Sequence, residues 1–322
     1  MEAIMPTGSS GLREEGRKIE LLRENISRVV LGCDHEIDLL ILGLLAQGHI
    51  LIQGAPGVGK TSMAKALAAS LACDFKRIQF TPDLMPADVL GYSIYDQSNA
   101  TFKFHQGPVF TNILLADEIN RTTPRIQSAL LEAMNEAQVS VDGKTYTLEQ
   151  PFFVIATQNH LHSSGTFPLP DSQLDRFLIS IDMGNTNLVT RENILKLHWG
   201  EANIGKDLKS VLTAAEILAL RESARKVDVE DCIIKYIARL VEATHESAEL
   251  THGVSARASI ALMRTAQAAA LMIGRDHVYP DDVKTFMPCV FSHRLIVKGL
   301  KRKGGDSVAN VIGAILDKVP IG

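Results

Sequence analysis

The segment GAPGVGKT at positions 54–61 constrains the fold of this chain more than any other feature. It matches G-x-x-x-x-G-K-[ST] in full, and it lies between an apolar run, HILIQG, and a helical pattern at 61–71, as that motif requires. Its glycines let successive backbone N–H groups point at phosphate oxygens, and the helix that follows adds positive potential at its N-terminus. In such a loop Lys60 supplies charge to the β- and γ-phosphates, and Thr61 offers a hydroxyl to Mg²⁺. The segment therefore predicts a nucleotide phosphate site at the end of a buried strand.

Strand and helix patterns alternate around this loop through the first part of the chain. Two helical patterns come first, one starting at Arg17 and one in which we expect Asp34 to act as the N-cap. The later patterns predict a helix with one apolar face at 125–138 and buried strands at 77–80, 113–117, 152–157 and 177–181. This alternation is typical of a mostly parallel sheet with helices on both faces.

Strand patterns stop near Asn185, and the rest of the chain is predicted to be helical. The expected helices span 190–199, 214–226, 230–246, 255–273, 280–298 and 307–319. We therefore expect three parts: a flexible N-terminal arm at 1–16, a core domain at 17–190 and a helical second domain at 191–322.

Two segments interrupt the first domain. Residues 81–110 are long for a simple connection between a helix and a strand. Residues 139–148 carry alternating apolar side chains around Asp142-Gly143, which predicts a β-hairpin with a two-residue turn.

Two carboxylates and one amide follow predicted strands where they could reach the same phosphates. Asp117 ends the strand ILLAD and would hold the metal through water, and the adjacent Glu118 could orient or deprotonate the attacking water. Asn159 follows the strand at 152–157 and could contact the γ-phosphate. An asparagine after a strand is also a common turn residue, so spacing alone leaves both interpretations of Asn159 open.

Charge and cysteine content exclude several classes of protein. The chain has 33 Lys and Arg against 37 Asp and Glu, a net charge of −4, which argues against a surface that tracks nucleic acid or anionic membrane. Its four cysteines form no C-x-x-C pair, so their spacing predicts neither a zinc site nor a disulfide framework. No apolar run approaches the ~18 residues of a membrane span. We expect a cytoplasmic protein without a membrane span.

Several motifs, in this order, resemble those of the AAA+ ATPases: GAPGVGKT, LLADEIN, ATQN, LPDSQLDRF and GVSARA. More narrowly, TPDLMPADVLGY, the hairpin at Asp142-Gly143 before ATQN, and SHRL at 292–295 are similar to the MoxR family. The resemblance covers residues 17–300. It implies an α/β fold, with an AAA+ P-loop three-layer αβα domain built on a parallel sheet and followed by a smaller all-helical lid domain.

The resemblance also implies roles for individual residues. Asp117 and Glu118 become the Walker B pair, with Asp117 and Thr61 at the metal, and Asn159 becomes sensor 1. Arg176 is similar to the arginine finger that reaches a neighbouring subunit's ATP, and Arg257 to the sensor 2 arginine that the lid offers to the γ-phosphate of its own subunit. The nucleotide-binding residues of the Walker A loop would be Gly54, Ala55, Pro56, Gly57, Val58, Gly59, Lys60, Thr61 and Ser62.

The chain departs from the family pattern at three positions, one of which is Gly59, where many relatives carry alanine. His160 and Ala256 stand where relatives often have proline, after the sensor 1 asparagine and before the sensor 2 arginine.

The activity that the resemblance implies is Mg²⁺-dependent ATP hydrolysis in a homo-oligomeric ring, expected to be a hexamer. Members of the family act in chaperone-like remodelling or maturation of other proteins, often partners with von Willebrand factor A domains. Three alternatives stay open: a nucleic-acid-remodelling AAA+ motor, a metal-chelatase-like motor subunit, and a nucleotide-gated scaffold. Nucleic acid is the less favoured partner, because the tip of the predicted hairpin offers only Lys144 as a basic residue.

Overall fold

The computed structural model describes residues 10–159, 166–184, 188–199, 208–299 and 306–321. The helices are α1 (Ser10–Ser27), α2 (Asp34–Leu45), α3 (Lys60–Ala69), α4 (Pro86–Leu90), α5 (Pro124–Glu136), α6 (Asp171–Leu174), α7 (Leu188–Trp199), α8 (Ala214–Lys226), α9 (Asp231–Glu246), α10 (Ala256–Met272), α11 (Pro280–Phe291) and α12 (Asp306–Lys318). The strands are β1 (Ile50–Gly54), β2 (Leu71–Ala72), β3 (Phe75–Gln79), β4 (Gly91–Asp96), β5 (Thr101–Gln106), β6 (Ile113–Asp117), β7 (Gln138–Val141), β8 (Lys144–Thr147), β9 (Phe153–Asn159), β10 (Ile179–Met183) and β11 (Leu212–Thr213).

The central sheet has five parallel strands in the order β10-β1-β9-β6-β3. In the pairing register Gly54 of β1 lies level with Asn159 of β9 and with Met183 of β10. All five strands therefore end at one edge of the sheet, here called the carboxyl edge, and begin at the opposite one, the amino edge. The parallel sheet predicted from the alternating pattern is confirmed.

Apolar side chains alternate between the two faces of this sheet and form two separate cores. On one face Ile52, Leu115 and Ile155 pack with residues of α2, α3 and the C-terminal helices. On the other face Leu51 and Leu114 pack with residues of α4 and α5. This arrangement gives the three-layer αβα architecture that the resemblance implied.

Both interruptions of the first domain contain antiparallel hairpins. The predicted hairpin is formed by β7 and β8, with φ angles of 52° at Asp142 and 74° at Gly143, as a two-residue primed turn requires. The long segment 81–110 contains α4 and a second hairpin of β4 and β5, which the sequence did not predict. The hairpins are joined by ring stacking of Phe104 on Tyr146, whose centroids lie 4.1 Å apart.

The chain after residue 184 is helical in its described parts, except for β11, which pairs with β2. The N-terminal helices α1 and α2 pack against α10. These contacts attach the C-terminal helices to the sheet domain. Within the described residues no helix is long and apolar enough to cross a bilayer.

Three expectations for the helices are wrong. Helix α1 begins at Ser10, not Arg17. Asp34 does not cap α2, because Cys33 occupies the N-cap and no side chain there accepts a capping bond; Asp34 lies 3.9 Å from Arg23 instead. Helix α11 ends at Phe291, not at residue 298, because a 3₁₀ turn follows in which the buried Arg294 bonds to the sheet domain.

Candidate active site

The loop between β1 and α3 has the backbone geometry of a phosphate cradle. Gly57 and Gly59 have φ angles of 81° and 101°, in the left-handed region that favours glycine, and Gly59 is the N-cap of α3. A Cβ atom at Gly57 would meet no other atom within 4 Å, so the loop is open beside it. The loop and the positive end of α3 together form a site for an anion at the carboxyl edge.

Lys60 is the first residue of α3 and folds back over this loop. Its Nζ atom donates to the carbonyl oxygens of Gly54 at 2.7 Å and Ala55 at 2.8 Å. Burial lowers the pKa of Lys60, while the nearby carboxylates of Asp117 and Glu118 oppose the shift. The ammonium group is thus held next to the loop and close to both carboxylates.

Asp117 is the buried last residue of β6, and both of its carboxylate oxygens accept hydrogen bonds. Thr157 Oγ1 donates to Asp117 Oδ1 at 2.5 Å, and Thr61 Oγ1 donates to Asp117 Oδ2 at 3.2 Å. The structure therefore brings the two predicted metal residues, Thr61 and Asp117, into direct contact. A hydroxyl and a carboxylate oxygen are ligand types that suit the hard Mg²⁺ ion, so this donor set fits a magnesium–nucleotide complex.

Glu118 and Asn159 flank Asp117 at the same edge. Glu118 has φ 58°, an unusual conformation for a residue other than glycine, and its N–H donates to Thr157 Oγ1 at 2.9 Å. Its carboxylate accepts from Arg121 Nη1 at 2.8 Å and from Gln79 Nε2 at 3.2 Å. Asn159 ends β9 directly beside Gly54 of the phosphate loop. The residue after it, His160, lies outside the described residues.

Arg77 belongs to the site, although the sequence analysis did not single it out. It lies on β3, and its Nε and Nη2 atoms donate to Asp117 Oδ2 at 3.0 and 2.7 Å. Its neighbour on the same side of the strand, Gln79, accepts from Arg77 Nη2 at 2.8 Å and also contacts Glu118. Only the strand order reveals this contact, because β3 pairs with β6 across 38 residues of sequence, from Gln79 to Asp117.

Arg176 lies at the amino edge, away from the phosphate loop of its own chain. It lies just before the start of β10. Leu178, the residue directly before β10, donates its N–H to the carbonyl oxygen of His49, the residue directly before β1. Arg176 Nη1 donates to Leu131 O at 2.9 Å, and the side-chain amide of Asn135 lies beside the same guanidinium. The five residues of β1 separate the two edges by about 13 Å at ~3.3 Å per residue.

Arg257 lies at the amino edge too, near Arg176, and its contact with the γ-phosphate of its own chain stays a prediction. It lines a recess of about 270 Å³ together with Arg176, Arg264 and Arg294. The start of α10 is tied to this edge by Ser255 Oγ, which donates to Asp175 Oδ2 at 2.9 Å. The packing of α10 against α1 and α2 sets this position, and no local motif encodes it.

Arg294 braces the same edge from inside. Its Nε donates to Asp175 Oδ1 at 2.8 Å, and its Nη2 donates to Phe177 O at 2.6 Å. Burial lowers the pKa of the Arg294 guanidinium, and Asp175 offsets part of that shift. This buried pair joins the C-terminal helices to the residues that carry Arg176.

Comparison with known proteins agrees with this fold. The family model described as "ATPase family associated with various cellular activities (AAA)" matches residues 49–179, and the one described as "AAA lid domain" matches residues 242–312. A solved structure of a candidate ATPase from Cytophaga hutchinsonii has a TM-score of 0.86 and 35% identity, covering 96% of each chain. The fold is that of an AAA+ ATPase.

Relatives in sequence narrow the class. The chain is 44% identical over 300 residues to the uncharacterized protein YeaC of Bacillus subtilis, covering 92% of this chain and 93% of that protein. It is 38% identical over 301 residues to Chaperone MoxR1 of Mycobacterium tuberculosis, covering 91% of this chain and 79% of that protein. The chain belongs to the MoxR family of AAA+ ATPases, which confirms the family expected from the motifs.

Proposed function

We propose that this protein hydrolyses ATP at the carboxyl edge of its sheet, with Mg²⁺ as the cofactor. The observation that carries the proposal is the convergence of Lys60, Thr61 and Asp117 around one open glycine loop. The loop N–H groups and Lys60 bind the β- and γ-phosphates, while Thr61 and Asp117 hold the metal, Asp117 through water. The other residues of 54–62 are proposed to contact the nucleotide as well. When bound, Mg²⁺ supplies charge neutralisation of the transferring phosphoryl group.

Glu118 is the proposed base for the attacking water. Its carboxylate is held by Arg121 and Gln79 in this structure, so it must leave at least one of them to take a proton from water. Asn159, beside Gly54, orients the water or the γ-phosphate. A general base contributes about 10²–10⁴-fold to the rate.

The arginines at the amino edge complete the site of a neighbouring copy. Arg176 and Arg257 line one recess at the amino edge. The length of β1, about 13 Å, separates this edge from the phosphate loop of the same chain. Both side chains can act on a triphosphate only if the amino edge of one subunit faces the carboxyl edge of the next. Contacts of that head-to-tail kind close into a ring, and we propose a homo-oligomer, with six subunits as the expected number.

We propose that the work done by the ring is the remodelling of protein partners, von Willebrand factor A domain proteins among them. Support comes from the chaperone name of one relative and from the β4–β5 hairpin. On that hairpin Ile94, Tyr95 and Phe102 are 46%, 50% and 69% exposed, an apolar surface suited to an apolar segment of a client.

A hydrolysis assay tests the catalytic part of the proposal. We expect Mg²⁺-dependent release of phosphate from ATP by the wild-type protein and its loss in Lys60→Ala. Lys65→Ala, on the exposed side of the same helix, is the matched control and should behave as wild type. Failure of the folded wild-type protein to bind ATP would contradict the proposal.

A capture experiment tests the remodelling part. The Glu118→Gln protein, loaded with ATP, should retain protein clients, and the additional change Phe102→Ser should release them. Retention of nucleic acid instead, with an affinity that falls steeply with salt, would favour the motor alternative.

A further inference from the structure

Arg77 occupies the carboxylate oxygen that faces the proposed metal. Both of its donors, Nε at 3.0 Å and Nη2 at 2.7 Å, reach Asp117 Oδ2, the same atom that accepts from Thr61 Oγ1 at 3.2 Å. The other oxygen, Oδ1, is already engaged by Thr157 at 2.5 Å. A cationic side chain therefore sits at the one oxygen of Asp117 that is next to the second metal residue.

A divalent cation that this oxygen holds through water would lie close to the guanidinium that is bonded to the same oxygen. Like charges a few ångströms apart repel strongly in a partly buried site, and the Asp117 side chain is only 7% exposed. In the nucleotide-free arrangement, however, a buried carboxylate without a counter-charge would itself be unfavourable. Arg77 therefore stabilises the Asp117 carboxylate when no metal is bound, but it repels a metal that binds there.

We propose that Arg77 is a displaceable counter-ion of Asp117, which neutralises this carboxylate without metal and must leave it when a magnesium–nucleotide complex binds. Arg77 is in this view a positioning and specificity-determining residue, which sets the concentration of Mg²⁺ needed for nucleotide binding. The inference rests on the proposed function of the carboxyl edge.

The surroundings of Arg77 allow the movement. Its side chain is 42% exposed and lies on β3, the outermost strand of the five-stranded sheet, so the guanidinium can turn into solvent without crossing the core. Gln79 already accepts from its Nη2 atom and offers a second position away from Asp117. The other charged groups here are Lys60, held by the loop carbonyls, and the pair of Glu118 with Arg121.

The competing view is that Arg77 is a permanent brace that keeps Asp117 oriented for the metal. The two views predict opposite signs. If Arg77 competes with the metal, its removal strengthens Mg²⁺ binding; if it braces the carboxylate, its removal weakens binding.

The experiment is a titration of Mg²⁺ at a fixed concentration of the fluorescent nucleotide mant-ADP, using the full-length protein and following nucleotide binding. For Arg77→Gln we expect the half-saturating Mg²⁺ concentration to fall by about three- to tenfold. Lys76→Gln is the matched control, because it removes one positive charge from the adjacent, outward position of β3. It should leave the half-saturating concentration within about twofold of wild type.

Arg77→Lys gives a second test if the glutamine variant is poorly folded. Lysine keeps the charge but lacks the two-donor fork, so it should give a smaller decrease in the same direction. An unchanged or increased half-saturating concentration in a folded Arg77→Gln protein would overturn the inference alone. Absence of mant-ADP binding by wild type at any Mg²⁺ concentration would overturn the proposed function as well.

Discussion

The two edges of the central sheet differ in the charged side chains that they carry. At the carboxyl edge, Lys60 and the carboxylates of Asp117 and Glu118 surround an open glycine loop. At the amino edge, arginines gather around a recess, and the carboxylate of Asp175 is held by Arg294. The first edge can bind a metal–phosphate complex, while the second can stabilise developing negative charge. Because one strand length separates them, the proposed mechanism needs the carboxyl edge of one chain and the amino edge of another to form a complete catalytic site.

Among the substitutions that test this difference between the edges, Arg176→Ala is expected to lower the rate of ATP hydrolysis most. If Arg176 acts on a neighbour's nucleotide, hydrolysis should fall by about 10³-fold or more, the range known for arginine fingers. Binding of mant-ADP to the separated subunit should be unchanged, because Arg176 is remote from its own phosphate loop. The measurements are steady-state ATPase activity and nucleotide affinity, with Arg125→Ala, an exposed arginine of α5, as the control. A loss of affinity as large as that of Lys60→Ala would place Arg176 in its own subunit's site and break the comparison.

Glu118→Gln is expected to have the next largest effect. Glutamine keeps the shape of the side chain but cannot accept a proton from water, so turnover should fall by about 10²–10⁴-fold while ATP stays bound. Single-turnover hydrolysis and retention of labelled ATP on the protein measure the two quantities. Glu132→Gln, an exposed carboxylate of α5, should match wild type. Normal turnover in Glu118→Gln would remove Glu118 from the proposed mechanism.

The brace of the amino edge can be tested through stability. Arg294→Met removes the buried partner of Asp175 and the donors to Phe177 O, so we expect the free energy of unfolding to fall by about 3 kcal/mol. Arg225→Met, which breaks an exposed pair with Glu222, should change it by less than about 1 kcal/mol. Urea unfolding measures both. Equal small effects would mean that Arg294 does not fix the amino edge.

The smallest expected effect is a dependence of stability on pH through His49, next to β1 at the amino edge. Its Nε2–H donates to Met134 O at 2.9 Å and its Nδ1 accepts from Val154 N–H at 3.0 Å, so the bonded ring is neutral. Burial lowers the pKa of His49 from 6.5 to about 4, although the bond to Met134 opposes the shift. On acidification the unfolded chain therefore binds this proton first. The contribution of His49 to stability is complete above pH 6.5 and is lost as the pH falls toward 4.

The comparison of wild type with His49→Gln isolates this contribution. Between pH 7 and pH 4.5, the free energy of unfolding of wild type should fall by about 2–3 kcal/mol more than that of the variant. Parallel pH profiles for the two proteins would show that His49 does not titrate in this way.

Local patterns in the sequence were enough to predict most of the carboxyl edge. Buried strands are continuous apolar runs, and the phosphate loop, Asp117 and Glu118 lie directly at their ends, so spacing along the chain predicts their convergence. Asp142-Gly143 likewise specifies its hairpin, because both residues favour the left-handed region. The β4–β5 hairpin was not predicted, since apolar and polar side chains are exposed on it and the alternating pattern is weak.

The amino edge could not be predicted in the same way. The placement of Arg257 depends on how α10 packs against α1 and α2, contacts that join distant parts of the chain. Arg77 was missed for a similar reason, because an exposed arginine on an edge strand is indistinguishable from a solvated one until β3 is known to pair with β6. Sequence motifs thus singled out Arg176 and Arg257, whereas the position of Arg257 at the amino edge follows from packing between distant parts of the chain.

The measurement that tests this division most directly is the activity of rings assembled from a one-to-one mixture of Lys60→Ala and Arg176→Ala subunits. Each variant alone should be inactive, since every interface lacks one essential residue. In mixed rings about a quarter of the interfaces join an intact carboxyl edge to an intact amino edge, so we predict recovery of up to roughly that fraction of wild-type hydrolysis. No recovery in rings shown by native mass spectrometry to contain both variants would contradict the account.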